Sequence, residues 1–310
     1  MNSLPLSWSI VNDNCNDSKV VNKWNMNWIA LRNIHSDKFI SQVDQLLESK
    51  SNTIVRGCNT ELKDKFEEYG FFSTQIGLEA VLFTCNNHFS KKSLQYLVRR
   101  GKRNGKIEQV SYSKENHEKL AVFKKACVHG NEPQLQNLFQ LEFKKNNLLY
   151  AFVNNKKEWL GAILLSENSK DKLHTELLLR RKNAPAGIME ALVEYCFLES
   201  KKNGYSQLSL GEVPFSFKRI NYKDPLSLLS FQFGRILKFA YNYKGLYNFK
   251  QKFNPKWKEV FICASSKIGI KHLFLLFIYS NFHSLILQKL LYIIKDSFII
   301  KFFKKTEFLF

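Results

Sequence analysis

The sequence predicts a duplicated α/β chain with mixed, mostly antiparallel sheet structure and a C-terminal helical tail. Three observations predict it. Both halves carry a helix that ends in a basic-Asn-Gly turn and feeds a strand, at Asn104–Gly105 and again at Asn203–Gly204. Hairpin signals recur too often for a long, doubly wound parallel sheet. And "LLLRRKNAPAGIMEALVEY" (177–195) reads as strand, tight loop and helix, with a further strand after it.

The elements follow in order. Residues 1–40 are rich in Asn, Ser and Asp, with tryptophans at 8, 24 and 28, and read as a loose extension that packs down late. From about residue 41, "KFISQVDQLLESK" has a helical pattern and "NTIVRG" a strand pattern. "ELKDKFEEYG" is a helix with a glycine stop, and "FFSTQIGLEAVLF" a pair of strands around Gly77. "SKKSLQYLVRRGKRNG" is a basic helix and "KIEQVSYS" a strand. In the second half, "LLYAFVNNKKEWLGAILLSEN" is a hairpin turning at Asn154–Asn155, followed by "KLHTELLLRR", a helix and "YSQLSL". The boundaries we draw are 1–40, 41–140, 141–266 and 267–310.

Composition narrows function. The chain has 310 residues, 45% of them hydrophobic, and 47 Lys and Arg against 27 Asp and Glu, a net charge of +20. Such an excess favours polyanions, nucleic acid or an anionic membrane, although codon bias toward Lys produces the same excess. Six scattered cysteines without a C-x-x-C pair suit free thiols in a reducing compartment. Zincin, serine-hydrolase elbow and P-loop motifs do not occur. Nor does the N-terminus show a basic segment followed by an apolar run, so a cytoplasmic location is expected.

The most pointed chemistry lies at the corner after "LLLRR". Ile188, Ala191, Leu192, Tyr195, Cys196 and Leu198 mark one helical face, with Pro185 and Gly187 at its mouth. The free N–H groups and positive end of such a helix, with Arg180 and Arg181 beside it, suit a carbonyl oxygen or a phosphate. An ordinary loop with two solvated arginines has the same spacing. "LGEVPF" brings Glu212 near the corner. "FAYNYKGLYNFKQKFNPKWKEVFI" carries Leu246, Phe249 and Phe253 as an apolar stripe among Lys244, Lys250, Lys252, Lys256 and Lys258. Those lysines read either as a phosphate-tracking surface or as the solvated side of a basic helix.

In these segments the sequence resembles the C-terminal cytosolic domain of bacterial phosphatidylglycerol lysyltransferases, the multiple peptide resistance factor family of aminoacyl-phosphatidylglycerol synthases. The resemblance rests on "ELLLRRKNAPAGIMEALV" with "NGYSQLSLGEVPFS", on "YKGLYNFKQKFNPKWKEVFI", and on "YGFFSTQIGLEAVL" with the basic helix and "KIEQV". It spans roughly residues 45–264. It implies two tandem acetyltransferase-like (GNAT-type) units, residues 41–140 and a catalytic 141–266, and transfer of an aminoacyl group from charged tRNA to a lipid hydroxyl. The family's strand aspartate falls here on Glu176, "NAPAG" replaces a commoner "APNG", and Glu212 stands where the family often has an uncharged residue. Residues 217–239 diverge, and the large membrane domain of full-length synthases is not in this sequence.

An aminoacyl ester is already activated, so neither a cofactor nor a covalent enzyme intermediate is expected. Oxyanion or phosphate stabilisation is assigned to Arg180 or Arg181 with the helix start at Asn183 and Gly187. Glu176 and Glu212 serve as general base or ammonium holder, and Lys244, Lys250 and Lys252 contact phosphate. An acyl-CoA-dependent N-acyltransferase of the same fold is the alternative, although Pro185 removes one donor from a pyrophosphate cradle. A non-catalytic RNA- or membrane-binding module is the third. The tail 267–310 is apolar with seven lysines, and Gln288, Tyr292 and Asp296 fall at i, i+4 spacing. We expect an in-plane amphipathic anchor on an anionic leaflet, making the protein peripheral on the inner face of the cell membrane. The competing expectation is a helical hairpin packed on the protein.

Overall fold

The computed structural model describes residues 4–11, 18–35, 52–219 and 224–306, with side chains described as far as 295. The helix expected over 38–50 lies outside the described residues. Residues 9–11 and 18–35 are not loose: they form strands β1 (Ser9–Val11), β2 (Ser18–Lys23) and β3 (Met26–His35). Trp8 and Trp28, each 1% exposed, explain the difference. Burying an indole stabilises by roughly 4 kcal/mol, enough to outweigh a polar, turn-rich composition around it.

Next come β4 (Thr53–Cys58) and helix α1 (Thr60–Glu68), capped by Asn59, which accepts from the Leu62 N–H at 2.9 Å. Strand β5 (Phe72–Phe83) runs unbroken through Gly77. That glycine does not turn the chain. A Cβ there would lie 2.7 Å from the Val213 carbonyl oxygen, so it permits a close neighbour. Helix α2 (Lys92–Lys102) and β6 (Lys106–Val110) match the sequence reading, which missed helix α3 (Lys114–Ala126). An irregular segment leads to the hairpin β7 (Leu148–Val153) and β8 (Trp159–Ser169), with the Asn154 side chain accepting from the Lys156 and Glu158 N–H groups in its turn. Strand β9 (Lys172–Arg180), helix α4 (Ile188–Lys202) and β10 (Gln207–Pro214) follow as expected. Helices α5 (Pro225–Ile236) and α6 (Tyr243–Gln251) precede β11 (Lys256–Ala264). Two helices, α7 (Ile270–Tyr279) and α8 (Phe282–Thr306), close the described chain.

The strands form one mixed sheet in the order β1-β3-β4-β11-β5-β10-β9-β8-β7-β6, with β2 paired to β3. Among the described residues only β1 with β3, β3 with β4, and β9 with β10 are parallel. The α/β class with mostly antiparallel pairing and C-terminal helices agrees with the sequence reading. Strand β11 lies between β4 and β5, and β6 pairs with β7, so strands from the two halves of the sequence interleave. Apolar side chains of α2 and α4 pack with those of β5, β7, β8, β9 and β10 into the largest core cluster, which fixes the corner where α4 begins.

The tail packs on the body. Helix α7 buries Leu275 and Leu276, and α8 buries Phe282 and Leu285. Between them the chain bends by 71° at Asn281, whose φ is 59°, and the Asn281 amide donates to the Gln134 carbonyl at 3.0 Å. Gln288, expected on a polar stripe, donates to the Asn131 carbonyl at 3.0 Å and ties α8 down. From Leu290 to Ile294 every side chain is exposed, and five consecutive positions cover the whole circumference of a helix. No single described helix is long and apolar enough to cross a membrane; α7 together with α8 to Lys295 reaches that length and composition only as a bent pair.

Candidate active site

Strands β9 and β10 pair only between Lys172–His174 and Gln207–Ser209. One extra residue in β10 then shifts its register against β5, and Gly211 takes φ 82°, which a residue with a side chain adopts only at a cost. Beyond this bulge the ladder between the parallel strands stops and a wedge opens, in which side chains meet the backbone groups. Thr175 Oγ1 donates to the Ser209 carbonyl at 2.7 Å, and the Gly211 N–H donates to Ser209 Oγ at 3.1 Å.

Lys250 of α6 reaches into this wedge. Its Nζ donates to the Glu212 carbonyl at 2.9 Å, and the residue is 2% exposed. Burial lowers its pKa to about 7, against the opposing pull of Glu212 and Glu79. The Glu212 carboxylate pairs with Arg56 of β4 at 2.7 Å, while its Oε1 is buried without a hydrogen-bond partner among the described residues. Behind them Glu79 and Lys172 pair at 2.7 Å, both buried. Burial lowers the pKa of neighbouring His174 to about 3, with Glu79 opposing the shift, so the ring is neutral at physiological pH. Tyr241 borders the Glu212–Arg56 pair; burial pushes its phenol up, Glu212 adds to that and Arg56 opposes it.

The residues expected at the corner divide into two groups. Arg180, at the exposed end of β9, lines a chamber of about 1400 Å³ together with Glu176, Gly187, Glu212, Lys250 and Lys252. Arg181 is not part of that lining: it turns to Glu158 at 3.2 Å. Asn183 and Lys244 are exposed and also lie outside the lining. Gly187 begins α4 with φ 96°, and a Cβ there would come within 2.1 Å of the Leu97 carbonyl oxygen of α2. A Cβ on Gly101 would in turn meet the Gly187 carbonyl at 2.2 Å, so this glycine pair lets α2 and α4 touch. Glu190 in the first turn of α4 complements the positive helix end and pairs with Lys252 at 2.8 Å.

Glu176 is buried, with Oε1 accepting from Ser166 Oγ at 2.5 Å and Oε2 from the Gln140 N–H at 2.7 Å. Burial outweighs these two hydrogen bonds and raises its pKa to about 7. It thereby ties the irregular segment around Gln140 to β9. Arg56, Glu79, Lys172, His174 and Tyr241 escaped the sequence reading. For the first four the signal is present: a charge or imidazole inside an otherwise apolar strand, as in "TIVRGC" and "GLEAVLF", marks a buried ionic site. Among the described residues no group of three or more His, Cys, Asp or Glu side chains is arranged to hold a metal.

Residues 35–264 match the family of phosphatidylglycerol lysyltransferase C-terminal domains. The chain belongs to this family. A phosphatidylglycerol lysyltransferase of Bacillus subtilis (strain 168) is 27% identical over 95 residues, a stretch covering 29% of this chain and 11% of that protein. The aligned part is thus about a tenth of that relative's length. The structure of L-PGS from Bacillus licheniformis superposes with a TM-score of 0.64 at 17% identity, over 86% of this chain and 85% of that one. The C-terminal domain of a putative lysylphosphatidylglycerol synthetase from Agrobacterium fabrum gives 0.59 at 17% identity, over 81% and 80%. At these identities the two structures establish a shared fold for the lysyltransferase-family chain.

Proposed function

We propose that this chain transfers an aminoacyl group, lysyl or similar, from an aminoacyl-tRNA to a hydroxyl of phosphatidylglycerol or another anionic membrane lipid. The observation that carries the reading is Lys250, a buried amine at the split between β9 and β10 that donates to the Glu212 backbone carbonyl, in a chain of this family. With a pKa of about 7 the amine is available in its neutral form near physiological pH.

In this reading the acceptor O–H gives its proton to Lys250 Nζ as its oxygen bonds to the ester carbonyl carbon. The tetrahedral oxyanion then collapses, the bond to the terminal ribose oxygen of the tRNA breaks, and that oxygen takes the proton back. The free oxygen of Glu212 and the Glu176 carboxylate, which also lines the chamber, hold the ammonium of the aminoacyl group. Arg180 meets a phosphate at the mouth, and Lys244, Lys252 and the basic end of α2 follow the tRNA backbone. Holding the two reactants in one chamber supplies the remaining rate through alignment. The tail keeps the protein at the inner face of the cell membrane.

The test is direct. Purified protein incubated with lysyl-tRNA and phosphatidylglycerol vesicles is expected to form a lysyl lipid detectable by mass spectrometry. Acylation of an amine from acetyl-CoA, with no lipid product, would instead establish the acyl-CoA reading. No transfer from charged tRNAs to total lipid would overturn the proposal.

A further inference from the structure

The hairpin of β2 and β3 closes in a two-residue turn made by Trp24 and Asn25, whose φ angles are 51° and 58°. Two successive left-handed residues define the turn type that Asn-Gly usually fills, and a bulky side chain adopts that conformation only at a cost. An indole at its first position needs a reason, and packing supplies little of one. Trp24 is 52% exposed. Its ring lies on Phe274 of α7, with centroids 5.7 Å apart and planes 12° from parallel. Phe274 is itself 48% exposed, and Ile270, one turn earlier on the same face of the helix, is 70% exposed. Leu275 and Leu276 meanwhile take the other side of α7 into the core. Two distant parts of the chain thus meet to present three large apolar side chains outward.

The charge around this patch says what it faces. Lys23 precedes the tryptophan, Lys19 lies on the same strand, and Lys267 and Lys271 flank Ile270; all four are exposed. The stretches concerned, residues 18–35 and 265–281, contain no Asp or Glu. Exposed indole, phenyl and aliphatic groups among lysines match a membrane–water interface. There an indole sits at headgroup level, apolar side chains reach the acyl boundary, and ammonium groups meet anionic headgroups. A nucleic-acid surface would need free aromatic faces for bases to stack on, whereas Phe274 covers one face of Trp24 and Ile270 offers no ring. Trp24, Ile270 and Phe274 also lie outside residues 35–264, so the patch does not follow from family membership.

We propose that the Trp24 turn and the first turns of α7 form a docking face for an anionic lipid leaflet, separate from the exposed end of α8. Three side chains make a small contact, too small to hold the chain at a membrane alone. The face instead fixes which side of a chain tethered by α8 meets the leaflet. It rests on the tail as tether and does not depend on the transfer chemistry.

The experiment mixes the full chain with vesicles of phosphatidylglycerol and a phosphatidylcholine brominated near the headgroup end of its acyl chains; unbrominated vesicles are the reference. Trp24 fluorescence is expected to shift to shorter wavelength and to be quenched by the bromine. Subtracting the signal of Trp24→Phe isolates this indole from Trp257 and from the buried Trp8, Trp28 and Trp159. Replacing Lys23 and Lys271 together by alanine should weaken vesicle binding by about 25-fold, at about fivefold per lysine lost near an anionic surface. Ile270→Ser changes an exposed position and should lower the quenching of Trp24, a second reading if Trp24→Phe does not fold. Flotation without Trp24 quenching would remove the docking face and leave the tail as tether. Equal quenching by vesicles of phosphatidylcholine alone, or unchanged binding of the double lysine variant, would also overturn it. So would the same shift with tRNA in place of vesicles, which would make the face a nucleic-acid contact, or with protein concentration alone, which would make it a contact between copies of the chain. Quenching without lysyl transfer would remove the transfer reading alone.

Discussion

Replacing Lys250 by methionine keeps the aliphatic stem and deletes the buried amine. The wild-type amine falls from its ordinary 10.5 to about 7 in the fold, which corresponds to an order-of-magnitude cost of about 5 kcal/mol for keeping it charged. Between those two values the unfolded chain binds this proton and the folded chain does not. Stability therefore rises with pH across that window, by up to about 1.4 kcal/mol per pH unit, and the whole cost is present below about 7. Lys250→Met lacks this dependence. Urea unfolding of both proteins at pH 7 and pH 9 is expected to shift their stability difference by about 2–3 kcal/mol toward the wild type at the higher pH. Shifts from other lysines, such as Lys258 and Lys124, cancel in the difference. A difference constant with pH would refute the buried, titrating amine. In the transfer assay the wild-type kcat/KM should climb through about pH 7 and level off, and Lys250→Met should lose roughly 10²–10⁴-fold. A profile that instead falls through pH 7 would make the cation the working form, and Lys250 a phosphate holder.

Four further outcomes follow from the geometry. Glu176, raised to about 7, keeps in the fold a proton that the unfolded chain loses above 4.5, so the wild type loses stability as pH rises between those values. Relative to Glu176→Gln it should lose up to about 3 kcal/mol from pH 4.5 to 7, read by chemical unfolding. Arg180→Ala should raise KM for an anionic substrate by about tenfold, while Arg181→Ala, whose partner Glu158 lies outside the chamber, should stay within about twofold. Lys244→Ala should make the slope of log tRNA affinity against log salt shallower by about one or less, and Lys250→Met should leave that slope unchanged. A chain ending at Lys289 should lose flotation with anionic vesicles but keep its unfolding midpoint, because Leu275, Leu276, Phe282 and Leu285 still pack on the body.

The β9–α4–β10 unit could be read from sequence because its signals are local: a period of 3.6 in "GIMEALVEYCFL", glycines at both helix ends, and apolar runs on either side. Gly204 does adopt the left-handed stop, with φ 81°. Helix α3 was legible and overlooked; Ser113 caps it, and Leu120, Phe123 and Cys127 are buried at steps of three and four. Gly77 misled because a turn glycine and a close-approach glycine look alike in a sequence. Lys250 misled for a deeper reason. Its neighbours Lys244 and Lys252 are partly or fully exposed, and nothing in "YKGLYNFKQKF" distinguishes the lysine that enters a gap made by a bulge in a distant strand.

That gap is where the fold departs from what stability alone would select. Glu79 and Glu212 are directly opposed across β5 and β10, a like-charge pair on one face of a sheet, which is destabilising. Each carboxylate is answered by its own cation, Lys172 and Arg56, yet Lys250 is added between them as a further buried charge site. Replacing such a buried ionic cluster by apolar residues of similar volume commonly leaves stability unchanged or improves it. Packing therefore gives no reason to keep it. The bulge at Gly211, which opens the wedge, gives up ladder hydrogen bonds between β9 and β10 for the sake of the same site. When backbone pairing and charge burial are both sacrificed at one point in an otherwise consistent sheet, chemistry at that point is the explanation the physics favours. Here that point is the amine of Lys250.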